Sequence, residues 1–213
     1  MPAKSAASTY YCKPLLILAA ALACFHLGNA AMLPLYGLAV VSEHGANPAG
    51  FVATTIVIAQ GTMILTSLFA MRLAEKNGYW LVMLISFASL PIRGVIAAGL
   101  ITAWGVVPVQ LLDGVGAGLQ SVAVPGLVAR ILHGTGRINV GQGAVMTVQG
   151  IGAALSPAIG GWIAQGVGYP AAFLILGGFA LASLILWLSF GGLLRPACTR
   201  MPAEPSAAPQ LSS

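Results

Sequence analysis

The chain has 213 residues, of which 58% are hydrophobic and only 6% are charged, and its formal net charge is +5. Soluble domains carry about 25% charged residues, so this composition excludes a water-soluble globular domain and predicts a surface that faces lipid. The three cysteines, Cys12, Cys24 and Cys198, show neither a metal-binding spacing nor a disulfide framework.

Six apolar stretches follow one another along the chain, and each is long enough to cross a bilayer as a helix, which takes about 20 mostly apolar residues. Their ranges are 14–41, 50–73, 79–100, 105–132, 138–165 and 170–194. The first is about twice as long as the apolar part of a signal peptide, so we interpret it as a span. Short polar links predict that consecutive helices are antiparallel neighbours. The predicted fold class is therefore all-α, a polytopic membrane protein with six transmembrane helices.

Basic residues lie on one side of this predicted membrane domain. Eight of the nine Lys and Arg residues precede the first stretch, follow the sixth, or lie near the links after the second and fourth. The links after the first, third and fifth hold none, which by the positive-inside rule places both termini in the cytoplasm. We therefore predict a domain of residues 14–194 in the plasma (inner) membrane, between disordered cytoplasmic tails at 1–13 and 195–213.

Arg93 and Asp113 are the two charged residues deep within predicted spans. Each lies about eight residues from the outer link between the third and fourth stretches, which is about 12 Å deep at 1.5 Å per residue. A lone charge at the bilayer centre costs about 2.5–3.5 kcal/mol, so we predict that the two form an ion pair. Two interpretations stay open: a fixed pair that joins two helices, and a pair that breaks or titrates during a transport cycle.

Uncharged polar residues also recur within the spans, at spacings that place several of them on one helix face. In the first stretch His26, Asn29 and Tyr36 follow a 3–4 spacing, and in the fifth Gln142 and Gln149 lie seven residues apart. A polar face inside a membrane lines either a water-filled cavity or another helix, and we favour the cavity. The candidate cavity-lining residues are His26, Asn29, Tyr36, Gln60, Gln120, Gln142 and Gln149.

Small residues at four-residue spacing predict close helix packing. One such set lies in the fourth stretch and a longer ladder lies in the fifth, where an adjacent proline is expected to kink the helix. The residues assigned to packing are Gly114, Gly118, Gly152, Ser156, Pro157 and Gly160.

Four segments of the chain carry a resemblance to a known family. The segment QLLDGVGAGL at 110–119 is similar to the fourth-helix signature of each half of the membrane carriers of the major facilitator superfamily. The segment MRLAEKNGYW at 71–80 resembles a degenerate form of the family's cytoplasmic loop motif. The segment GAALSPAIGG at 152–161 resembles antiporter fifth helices, and VGYPAAF at 167–173 resembles the entry to a sixth helix.

The resemblance covers about residues 14–194 and implies a secondary transporter of a small solute, present as one six-helix half of a carrier bundle. Gln110 and Asp113 stand where amino-terminal halves usually have Arg and Gln, and together with the degenerate loop this implies the carboxy-terminal half. In the family the first, second, fourth and fifth helices of a half line a cavity, the third and sixth are peripheral, and solute binds between the halves. Asp113 and His26 are the titratable candidates within the spans for coupling to protons.

The expected partners are the lipid bilayer, a small-molecule solute, and either a missing six-helix half or a second copy of the chain. No nucleic acid, metal or cofactor is expected. A half-length chain fits a truncated product, a fragment of a split carrier or a homodimer. We favour truncation, which would leave the isolated chain inactive.

Three other functions compete with transport. A channel of the aquaporin type needs two Asn-Pro-Ala triplets, and the chain has one, at 47–49. An intramembrane enzyme is not expected, because no motif such as Gly-x-Ser-x-Gly or His-Glu-x-x-His occurs. A non-transporting membrane scaffold stays open, and uptake or efflux of a labelled solute in vesicles would separate it from a carrier.

Overall fold

A computed structural model describes residues 13–44 and 48–199 as helices joined by short links. The helices in chain order are α1 Lys13–Asn29, α2 Met32–His44, α3 Pro48–Asn77, α4 Tyr79–Gly99, α5 Val106–Ile131, α6 Ile138–Val167, α7 Tyr169–Ser189 and α8 Gly191–Thr199. Helices α1 and α2 together form the first membrane span, and α3 to α7 form one span each. The prediction of an all-α polytopic membrane protein with six spans is therefore confirmed.

Helix α8 covers residues 195–199, which the composition assigned to a disordered tail. Leu194 and Cys198, one turn apart, are both fully buried, and the Arg195 guanidinium lies 4.1 Å from the ring centre of Trp80. Two apolar residues one turn apart can hold a short helix against the bundle, although they are too few to show a period in the sequence. Residues 195–199 are therefore helical, and the rest of both predicted tails, except Lys13, lies outside the described residues.

The packing of the spans follows a two-fold pattern. The most extensive contacts join α3 with α5, α1 with α6, α4 with α7, α4 with α5, and α1 with α7. If the first, second and third spans are exchanged with the fourth, fifth and sixth, in that order, the same set of contacting pairs results. Such internal three-helix repeats are a common construction of membrane carriers, and here they place α4 and α7 together and leave α3 and α6 apart from each other.

The first span is broken between α1 and α2 because two backbone hydrogen bonds of a continuous helix are missing there. Pro34 has no N–H and cannot bond to the carbonyl of Ala30. The N–H of Ala31 turns away from its own helix and donates to Ser156 Oγ on α6, at 2.9 Å. Helical bonding resumes with Leu35 N–H to the Ala31 carbonyl. A side chain of the fifth span therefore holds the break in the first span.

The small residues predicted to pack do lie at close helix contacts. A Cβ atom at Gly114 would lie 2.6 Å from the Ala59 carbonyl oxygen of α3, and one at Gly118 would lie 2.7 Å from the Met63 carbonyl oxygen. On α6 the ladder faces the first span, where the backbone of Ala23 approaches its first member. These distances leave no room for a side chain and allow the helix backbones to approach closely. The ladder residues on α6 are Gly152, Ser156 and Gly160.

Helix α6 continues through Pro157 as one element, and Pro157 itself is exposed on its surface.

The spans differ from each other in how much of their surface is exposed. In α3 and α6 only 11% and 22% of the residues of the apolar window are buried, whereas the other four spans have 39% to 50%. The second and fifth spans are therefore the ones with the most uncovered surface.

Candidate functional site

Four of the seven predicted cavity residues line one cavity between α1, α5 and α6. They are His26 from α1, Gln120 from α5, and Gln142 and Gln149 from α6. The cavity has a volume of about 320 Å³ and is open on one side. The other residues in its wall are Ala117, Ser121, Val124, Pro125 and Met146.

A chain of hydrogen bonds fixes the side of the cavity that α5 forms. His26 Nε2 lies 3.2 Å from Gln120 Oε1, Gln120 Nε2 donates to Ser86 Oγ at 3.0 Å, and Ser86 Oγ donates to the Gly116 carbonyl at 3.1 Å. Since the amide oxygen of Gln120 can only accept, His26 must donate from Nε2. A neutral His26 ring then has Nδ1 as a hydrogen-bond acceptor.

The two glutamines of α6 differ from Gln120. Gln142 and Gln149 are half-buried in the cavity wall, and neither makes a side-chain hydrogen bond with another described residue. Each amide has two N–H donors and one carbonyl acceptor. Since the residues lie seven apart on one helix, both groups point to the same side, and they are available to a molecule in the cavity.

Arg93, Asp113 and Asn29 form a second polar group, which we call the ionic cluster. Arg93 Nη1 lies 2.7 Å from Asp113 Oδ1 and also donates to Asn29 Oδ1. The predicted Arg93–Asp113 contact is thus present in the structure. The Arg93 side chain is 1% exposed and that of Asp113 is 20% exposed. Arg93 Nε and Nη2 have no hydrogen-bond partner among the described residues, so one nitrogen of the guanidinium makes both contacts.

Three predicted cavity residues lie elsewhere. Asn29 belongs to the ionic cluster. Tyr36 is fully buried, and its hydroxyl lies within hydrogen-bond distance of two carbonyls in the link between α4 and α5, those of Leu100 and of Thr102, the latter at 3.0 Å. Gln60 is exposed on the surface of α3. The 3–4 spacing in the first span failed for Tyr36 because the helix breaks between His26 and Tyr36.

The sequence analysis did not identify the serines of α4 as part of the site. Ser86 is fully buried and accepts the hydrogen bond of Gln120, and Ser89 lies one turn further along the helix. Ser86 lies seven and Ser89 four residues before Arg93, which places the three residues near one helix face, and this spacing was the available signal. Gln110, which was considered only as part of a motif, is fully buried, and its amide atoms have no partner among the described residues.

A buried thiol lies at the end of the bundle that contains α8. Cys198 is fully buried, and its backbone carbonyl accepts a hydrogen bond of 2.6 Å from Arg130 Nη1. The Arg130 guanidinium also lies 4.6 Å from the ring centre of Tyr79. Burial raises the pKa of the Cys198 thiol to about 12, although the nearby Arg130 charge acts in the opposite direction.

Comparison with known proteins gives consistent results over most of the chain. The family model described as Major Facilitator Superfamily matches residues 18–210. Two curated relatives are described as uncharacterized MFS-type transporters of Mycobacterium tuberculosis, one from strain CDC 1551 / Oshkosh and one from strain ATCC 25618 / H37Rv. Each is 39% identical over 176 residues, which are 83% of this chain and 42% of the relative. The chain therefore spans less than half the length of these curated relatives.

Proposed function

Because the chain belongs to the major facilitator superfamily, we propose that it serves the transport of a small solute across a membrane and that the cavity between α1, α5 and α6 is part of the solute path. The observation that carries this proposal is the convergence of His26, Gln120, Gln142 and Gln149 from three spans on one cavity. Polar side chains in a membrane span are costly unless they bind each other or face a water-filled path. Gln142 and Gln149 have no partner among the described residues, which favours the second explanation.

The chain functions as one six-helix half together with a second six-helix unit. Two observations support this part of the proposal: the chain spans 42% of the length of its curated relatives, and α3 and α6 leave most of their surface uncovered. The second unit is either the other half of a carrier or another copy of this chain. Transport follows when one unit rocks against the other around the solute.

Further parts of the proposal rest on the sequence. Both termini lie in the cytoplasm, because the basic residues cluster at one end of the spans. The degenerate loop at 71–80 favours the carboxy-terminal half. Coupling to protons would use His26 or Asp113, and in that case Asp113→Asn alters the pH dependence of transport. An unchanged pH profile in this variant would leave Asp113 with a structural role.

Efflux from reconstituted vesicles tests the proposed transport. Vesicles containing the chain are loaded with a mixture of small polar metabolites, and the retained solutes are measured by mass spectrometry. We expect a loss of particular solutes that depends on the protein, reduced at least about tenfold in a Gln142→Leu, Gln149→Leu double variant, which corresponds to about 1.4 kcal/mol.

The matched control for this experiment is Thr147→Val on the same helix. Thr147 is exposed, and its hydroxyl donates to the Gly143 carbonyl of its own helix at 2.9 Å, so we expect release as in the wild type. If a helical, folded chain releases no solute, transport by copies of this chain is contradicted, and either the other half of a carrier is required or the chain is a non-transporting scaffold.

A further inference from the structure

The cavity wall carries no formal charge when the imidazole ring of His26 is neutral. None of the residues that line it is Asp, Glu, Lys or Arg, and its single ionisable side chain is His26. From this we infer that the solute is uncharged and combines hydroxyl or amide groups with an apolar portion. The inference rests on the proposed function, since it takes this cavity as the place where the solute binds.

The ion pair of the ionic cluster does not compensate a charged solute. Asp113 lies seven residues before Gln120 on α5, which is about 10 Å along the helix, and it is paired with Arg93 at 2.7 Å. The pair has no net charge, and Arg93 is 1% exposed. A charged group that left water for this cavity would lose hydration without gaining a counter-ion from this wall, which is unfavourable.

The hydrogen-bonding groups of the wall suit an uncharged solute. Gln142 and Gln149 each offer donors and an acceptor, and these can bind hydroxyl, amide or carbonyl groups without a charge on either side. Met146 lies between them on α6, and Val124 and Ala117 form apolar surface on α5. A wall with a few convergent polar groups on an otherwise apolar surface is typical of small-molecule sites.

Protection of a single cysteine tests the charge of the solute. In a variant without native cysteines, Met146→Cys supplies the only thiol, at an exposed position of the cavity wall. Its reaction with a water-soluble maleimide is measured with three probes of one shape: phenyl β-D-glucoside, which is neutral, phenyl β-D-glucuronide, which is anionic, and phenyl 6-amino-6-deoxy-β-D-glucoside, which is cationic. We expect the neutral probe to protect at a concentration at least tenfold lower than either charged probe.

Variants of α6 distinguish charge-dependent binding in the cavity from non-specific binding of the probes. Gln149→Glu adds a carboxylate to the wall and should shift the preference to the cationic probe, and Gln142→Glu serves the same purpose if the first variant does not fold. Thr147→Val should leave all three protection curves unchanged. The inference is overturned if a charged probe protects the unmodified wall as well as the neutral one, if no probe protects it, or if the added carboxylate does not change the preference.

The two experiments fail in different ways. Protection by the neutral probe without any efflux would support the solute class and contradict transport. Efflux of charged solutes, together with equal protection by charged probes, would support transport and overturn the solute class.

Discussion

The ionic cluster and the cavity are two polar regions with opposite degrees of closure, although α1 and α5 contribute to both. In the cluster, Arg93 binds Asp113 and Asn29 and is 1% exposed. In the cavity, Gln142 and Gln149 are half-buried and bind no other described residue. The comparison shows two uses of polar side chains in an apolar bundle: groups that bind each other join helices, and groups without a protein partner are available to a solute.

Energetics support this division. Removing one partner of a buried ion pair leaves an uncompensated charge and is strongly destabilising, so the cluster is sensitive to substitution. An amide that already faces an open cavity can be hydrated, so removing it costs little folding free energy. Substitutions should therefore separate the two regions by their effect on stability, from the cluster at one extreme to the open cavity at the other.

The largest effect is expected for Asp113→Asn. This change removes the counter-charge of Arg93, which is too deeply buried to be hydrated, and should lower the free energy of unfolding by about 3 kcal/mol. Arg93→Met should cost less, because the Asp113 side chain is 20% exposed and can bind water. Chemical unfolding in detergent micelles gives both values.

Two further variants sharpen this prediction. The double variant Arg93→Met, Asp113→Asn should recover part of the loss, since neither charge is then buried alone. Arg93→Lys should be tolerated better than Arg93→Met, because only Nη1 of the guanidinium makes contacts, so that bidentate geometry is not needed. If Asp113→Asn costs less than Arg93→Met, the cluster is more open than the structure shows.

A medium effect is expected for Ser156→Ala, which tests the break between α1 and α2. The change leaves the buried N–H of Ala31 without its acceptor and should cost about 1–2 kcal/mol. Ser183→Ala is the matched control: its hydroxyl is also buried but donates to the Ala180 carbonyl of its own helix, and its loss should stay within about 0.5 kcal/mol. Equal losses in the same unfolding experiment would mean that Ser156 does not hold the break.

The sequence predicted the fold and the closed cluster better than the open cavity. Span number follows from apolar length alone, and the pairing of Arg93 with Asp113 follows because two unpaired charges would be costly at the same depth. The position of Tyr36 depended on a broken helix. The break results from Pro34, a local signal that the sequence analysis did not use, and from a contact between Ala31 and Ser156 that no local pattern contains. Ser86 was missed because a serine in an apolar span is also compatible with simple packing.

A smaller effect is expected within the cavity, where Gln120 and Gln149 provide a direct comparison. Gln120→Leu removes an amide bound to His26 and Ser86 and should cost about 1 kcal/mol of folding free energy. Gln149→Leu removes an amide without a partner among the described residues and should change stability by less than about 0.5 kcal/mol. A loss for Gln149→Leu as large as for Gln120→Leu would show that Gln149 is bound in the folded protein and is not free for a solute.

The smallest effect is expected for maleimide treatment of the folded chain at Cys198. This buried thiol provides a reference for closed packing at the end of the bundle. Its pKa of about 12 means that at pH 7 only about one thiol in 10⁵ is the reactive thiolate. With the other two cysteines replaced by serine, we expect no labelling of the folded chain by a maleimide between pH 7 and 8.5, and complete labelling after unfolding in detergent such as SDS. Rapid labelling of the folded chain would show that α8 does not cover the thiol, because both burial and the raised pKa depend on the contact of α8 with the bundle.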